Sequence, residues 1–167
     1  MKNNKRFALI FATWLASLPV QAETTRLDDS ASVRSVVEAS SVSDEQGVPL
    51  ADSYDARFMV LKFGSVQYRL ATAAYKGQTA KIYYVIPAVI EGLQNPNALT
   101  VNWKGNSLFA EGEGHAGDRK LVWSGTVTED WMQDEVELEM QVELAQLRLR
   151  EGQRFGFESY FEIETNE

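Results

Sequence analysis

Apolar and polar side chains take strict turns in one part of this chain. Val136, Leu138, Met140, Val142 and Leu144 interleave with Glu137, Glu139, Gln141 and Glu143. Successive side chains of an extended strand point to opposite faces, so this run gives one dry face and one polar face. Glu, Leu, Met and Gln are good helix formers. A helix would nevertheless put Val136, Met140, Leu144 and Leu147 in one stripe and Leu138, Val142 and Leu149 opposite it. Only a strand gathers the first five on one side. The apolar parity then slips at Ala145-Gln146 to Leu147 and Leu149, which predicts a bulge or a strand changing sheets.

The same period recurs elsewhere. Phe58 to Phe63 is apolar on both parities, as a central strand would be, and Ser65 to Ala71 alternates more loosely. Lys81 to Ile90 is β-branched and aromatic, and Pro87 inside it predicts an edge position or a bulge. Leu99, Val101 and Trp103 alternate, as do Leu121, Trp123 and Val127, and finally Phe155, Phe157, Phe161 and Ile163. Turn signals separate these runs at Tyr75-Lys76-Gly77, Gln94-Asn95-Pro96-Asn97, Lys104-Gly105-Asn106, the glycine-rich stretch 112–118 and Arg150-Glu151-Gly152. About seven short strands spaced by such turns predict an all-β fold: an antiparallel, immunoglobulin-like β-sandwich, with an open barrel as the alternative.

The amino terminus has a different character. Lys2, Lys5 and Arg6 precede the apolar run Phe7 to Leu18, and Val20-Gln21-Ala22 follows Pro19, the pattern of a secretory signal peptide over residues 1–22. The apolar run is shorter than the roughly 20 residues a bilayer span needs, so no transmembrane segment is expected after cleavage. The remainder holds 13 basic and 24 acidic residues, a net charge of −11. Such a chain repels phosphate backbones and anionic lipid, which disfavours nucleic acid as a partner. The absence of cysteine excludes disulfides, thiolate catalysis and Cys-ligated metal, and a single histidine excludes any site with two His ligands. No cofactor is expected. An exported protein without disulfides must rest on packing and sheet hydrogen bonds alone.

Residues 23–52 read as a polar leader and 53–167 as the sandwich. In the leader, Leu27, Ala31, Val33, Val37 and Ala39 share one parity among polar neighbours. That pattern suits an extended segment seated in a groove of its own domain or of a neighbour's. A first strand of a self-complete sandwich, or a leader without regular structure, would also fit.

Candidate chemical sites are few. Glu111 to Asp118 gathers His115 with three acids in a flexible-looking loop, a pattern open to a divalent cation. The acids lack EF-hand spacing, and a glycine-rich hairpin loop is the expected role, with no metal site. Glu135, Glu137 and Glu139 resemble the carboxylate strand of some jelly-roll glycosidases, with Glu137 and Glu139 about 7 Å apart on one face. The same row continues through Gln141 and Glu143 as a plain solvated surface, so catalysis is not the expected role. Trp103 and Trp123 occupy alternating positions shared with aliphatics and are expected in the core. Trp131, flanked by Asp130, Met132 and Asp134, is the better candidate for contact with a ligand.

In layout, the mature chain resembles the chaperone–usher fimbrial subunits of Gram-negative bacteria. The resemblance rests on an export signal, a cysteine-free β body, an alternating leader and the terminal run Phe155, Phe157, Phe161 and Ile163. It implies a non-enzymatic structural or adhesive subunit on its way from periplasm to cell surface. Leu27, Ala31, Val33, Val37 and Ala39 would form the donor strand, and Phe155, Phe157, Phe161 and Ile163 the strand offered to a periplasmic chaperone. Partners would be other subunits, that chaperone and an outer-membrane usher. The chain departs from the family in ending Thr165-Asn166-Glu167, with no aromatic next to the end. Two alternatives stand beside this reading: a monomeric periplasmic binding or accessory module for a glycan or protein, and a small glycan-active hydrolase using Glu137.

Overall fold

A computed structural model describes residues 22–38 and 41–165. Eight strands appear in it: β1 (Glu23–Arg26), β2 (Phe58–Ala71), β3 (Thr79–Val85), β4 (Leu99–Gly105), β5 (Gly112–Gly114), β6 (Arg119–Thr126), β7 (Trp131–Glu143) and β8 (Tyr160–Thr165). They form two four-stranded antiparallel sheets, ordered β1-β8-β3-β6 and β2-β7-β4-β5. The protein is an antiparallel β-sandwich. Most of the signal-peptide segment, residues 1–21, lies outside the described residues, as do Ala39 and the chain's last two residues.

The period-two rows become the core. On β7, Met132, Val136, Leu138, Met140 and Val142 are buried, while the odd-numbered residues between them face outward. Facing them from the first sheet are Ala80, Ile82 and Tyr84 on β3 and Phe161 and Ile163 on β8. Trp103 is buried as its alternation predicts, whereas on β6 it is Val122 that faces the core, with Leu121 50 % exposed and Trp123 half-buried.

Three local expectations are corrected. The parity slip at Ala145-Gln146 is neither a bulge nor a strand changing sheets: β7 ends at Glu143, and Leu144–Gln146 is a 3-10 turn. Phe58 to Phe63 belongs to β2, an edge strand of its sheet rather than a central one. Its second apolar row has another cause. Ser43 returns across the free edge, its N–H and C=O bonded to Val60 C=O and N–H at 3.1 and 2.7 Å, so Val60 is only 8 % exposed. Pro87, finally, marks neither an edge nor a bulge, because β3 stops at Val85 and sits between β8 and β6.

Register shifts fall elsewhere, between Ile82 and Tyr83 in the β3–β6 pair and within β2. Phe63 is the extra residue between Lys62, opposite Glu139, and Gly64, opposite Leu138. Gly64 takes φ +66°, which glycine adopts without steric cost. Core-facing parity thereby switches from Met59 and Leu61 to Val66, Tyr68 and Leu70, so one 14-residue strand keeps a dry inner face throughout.

The order of the central strands is immunoglobulin-like. β2, β7 and β4 take the places of strands B, E and D, and β3 and β8 those of C and F. β5 and β6 are inserted between D and E. The remaining place, that of strand G beside F, is filled by β1 from the amino terminus, antiparallel to β8.

Close packing is tightest where β4 ends. A Cβ on Gly105 would stand 2.2 Å from Phe109 O and 2.7 Å from Asp134 Oδ2, and backbone cannot yield as a flexible side chain does. Gly105→Ala is expected to cost about 3 kcal/mol or more in urea unfolding. Gly156→Ala, with nothing within 4 Å of the new methyl, should stay within about 0.5 kcal/mol of wild type.

Candidate functional site

The leader is bonded into both sheets. Residues Glu23 to Arg26 pair with Thr165 to Glu162, and Leu27 N–H donates to Phe161 O at 2.9 Å. Leu27 is 2 % exposed and joins the core. The chain then turns: Asp28 Oδ1 accepts the Ser30 N–H at 2.9 Å, and Asp29 O accepts the Ser32 N–H at 2.8 Å. Beyond the turn it runs along the other sheet's edge. Asp28 O accepts the Ala71 N–H, and Ser32 Oγ accepts the Arg69 N–H at 2.8 Å while donating to Arg69 O at 3.3 Å. Val33 N–H donates to Gln67 O, and Arg34 pairs with Glu158 at 3.1 Å. Residues 22–33 thus bridge the gap between β8 and β2.

Two acids at this crossing titrate in opposite senses. The hydrogen bonds of Ser30 hold the Asp28 carboxyl below the usual aspartate range. Burial pushes Asp29 above it, against the attraction of Arg26.

The five leader positions do not share a seat. Leu27 is in the core, Ala31 and Val33 are exposed, and Val37 is half-buried; Ala39 lies outside the described residues. The turn at Asp28–Ser32 breaks the parity that their spacing implied. The terminal run also divides. Phe161 and Ile163 are buried on β8, whereas Phe155 and Phe157 precede that strand as a half-buried edge-to-face pair with centroids 6.2 Å apart.

Trp131 is 40 % exposed at the start of β7, and the Arg69 guanidinium stands 4.7 Å from its ring centroid. One face of the indole is therefore already stacked. His115 Nδ1 lies 2.8 Å from Leu99 O, and the backbone N–H of His115 donates to Asp118 Oδ2 at 2.9 Å, which closes the turn between β5 and β6. Among the described residues no group of three His, Asp or Glu side chains is placed to hold a metal ion. No helix among them is long and apolar enough to cross a membrane.

Glu137 and Glu139 project from the outer face of the second sheet into a groove of about 660 Å³. Lys62, Asn102, Lys104, Glu111 and Glu113 complete its polar walls. Periodicity placed the two glutamates on one solvent face but could not bring the β4–β5 hairpin to the same groove, because the pairing of β4 with β7 joins residues distant in sequence.

Two described acids are buried, Asp44 at 4 % exposure and Asp134, which faces inward from β7 and is 5 % exposed. Its Oδ2 accepts the N–H groups of Phe109 at 2.8 Å and Leu108 at 2.9 Å. Its Oδ1 accepts Ser107 Oγ and the Glu135 N–H, each at 2.9 Å. Burial alone would raise its pKa, but these donors outweigh it and hold the carboxyl below the ordinary aspartate range. A buried carboxylate is an obvious candidate base, yet here its oxygens are occupied in pinning the 106–109 turn. Sequence reading missed it because it occupies a core-parity position that only the satisfied turn makes tolerable.

Comparison of the chain with protein-family models, with curated proteins and with solved structures finds no match.

Asp134→Asn would replace an acceptor by a donor facing N–H groups. It is expected to cost about 2–4 kcal/mol at pH 7. Because the folded pKa is depressed, the wild-type contribution is full above the unfolded value of about 3.9 and fades as pH falls through the folded value. Unfolding curves of the two proteins should therefore converge below about pH 4.

Proposed function

We propose that the protein is an exported structural or adhesive subunit that assembles by exchanging its amino-terminal strand, as in a fimbrium. The observation that carries this reading is the place of β1. It fills the G position beside β8, where a four-residue ladder and one buried side chain, Leu27, hold it. The same seat is chemically suited to the identical segment of a neighbouring copy. Exchange would keep every hydrogen bond and the Leu27 burial, worth roughly 1.5–3 kcal/mol, so concentration would tip the balance between a closed chain and a linked one. In this reading residues 1–22 direct export to the periplasm, a chaperone covers the β8 edge until a neighbour's leader arrives, and an usher passes the subunit to the surface. The protein's task is mechanical and it is not an enzyme.

The test exploits the lack of cysteine. Thr24 lies directly opposite Glu164 across the β1–β8 ladder, so cysteines at these positions are within disulfide reach. Mature Thr24→Cys and Glu164→Cys chains, mixed at high concentration and oxidised, should give an interchain disulfide. A single chain carrying both should lock on itself. If the mixture yields no heterodimer while the double variant locks, the leader stays home and the proposal is overturned.

A further inference from the structure

The two outer faces of the sandwich treat charge differently. On the first sheet, Arg119 Nε reaches Glu162 at 2.7 Å and its terminal nitrogen reaches Glu164 at 3.3 Å. The same guanidinium covers the Tyr83 ring at 3.4 Å, and Lys81 approaches Glu164 at 3.8 Å. That face is internally neutralised. The groove on the second sheet is not: Glu111, Glu113 and Glu137 have no ion pair among the described residues, and Glu139 meets Lys62 only at 3.9 Å.

The basic side chains show the reverse pattern. Among the described residues every one has an acidic partner or an aromatic ring against it, except Lys104, Arg148, Arg150 and Arg154. Three of these four lie on the connection from β7 to β8. All three are exposed, with Leu149 39 % exposed between them and Glu151 the one acid in their midst. Arg148 N–H bonds to Gly92 O, which fixes this loop at the end of the sandwich. Between Glu139 and the end of β7 the strand advances about 13 Å, so the loop stands well away from its own groove.

We propose that the groove of one copy receives the Arg148–Arg154 loop of a second copy. The groove carries four carboxylates against two lysines, and the loop three guanidinium groups against one carboxylate. Guanidinium forks match carboxylates in geometry as well as charge. The two patches lie on different parts of the molecule, so the contact is heterologous and can extend copy after copy. It is a side contact, independent of strand exchange. A chain of net charge −11 has to bring copies together against its own repulsion. Screening beyond about 8 Å at physiological salt leaves local complementarity to decide.

The experiment uses the full mature chain locked on itself by the Thr24→Cys/Glu164→Cys disulfide, so that exchange cannot contribute. Sedimentation at 20 and 300 mM NaCl is expected to show self-association that weakens at least tenfold with salt. Reversing the loop (R148E, R150E, R154E) should abolish it, as should reversing the groove (E111K, E113K, E137K). Mixing the two reversed proteins should restore association, because the intact groove of the one meets the intact loop of the other, and each should still associate with wild type through its intact patch. A locked chain that stays monomeric in both salts overturns the proposal. So does loop reversal without effect, including the case where only groove reversal weakens association, which would assign the groove to some other cation.

Discussion

Phe161 is the joint on which the sandwich closes. Its ring meets Tyr68 of β2 at 5.0 Å and Tyr84 of β3 at 5.2 Å, and stacks with Phe109 at 5.4 Å. Tyr84 in turn meets Trp103 of β4 at 5.0 Å. Edge-on and tilted aromatic pairs hold two sheets at a fixed spacing more firmly than area burial alone. The joint also sets β8 where β1 must find it, and Leu27 follows directly on that ladder. Among the described residues the buried Tyr84 hydroxyl and Ser159 Oγ find no partner of good hydrogen-bond geometry.

Edges are the other constraint on a sandwich of this size, since an open strand is a template for unwanted pairing. β2 is shielded by the returning leader at Ala71, Arg69 and Gln67 and again by Ser43 at Val60. Between these clasps lie the Phe63 bulge and the charged Lys62, two devices that discourage strand addition. On the side away from β3, β8 has only the short β1. The contrast is what gives the leader its interest: one part of it closes an edge with polar clasps, and the other occupies an edge with four residues and a single apolar anchor.

Much of the fold could be read from periodicity because burial on one face of a strand is a local signal. β7 needed nothing beyond the alternation of Val136 to Val142, and β4 nothing beyond Leu99, Val101 and Trp103. Where the reading failed, a distant contact had changed what a position means. Val60 reads as the second apolar face of a central strand, but its cover is Ser43. Leu147 and Leu149 read as a strand in shifted register, but the chain turns and pairs Leu147 with Leu93 instead. Asp134 reads only as a polar neighbour of Trp131, and the amides of residues 107–109 make it part of the core.

The sequence by itself determined the class of fold, the composition of its dry faces and the exclusion of disulfide or thiolate chemistry, because each follows from side chains taken one strand at a time. The tertiary structure decided which strand stands beside which. It put the amino-terminal segment in the G place, brought Glu111 and Glu113 into one groove with Glu137 and Glu139, and isolated three arginines at one end. Pairing order is fixed by the closure of two sheets on a common core, a condition on the whole chain that no single alternating run contains.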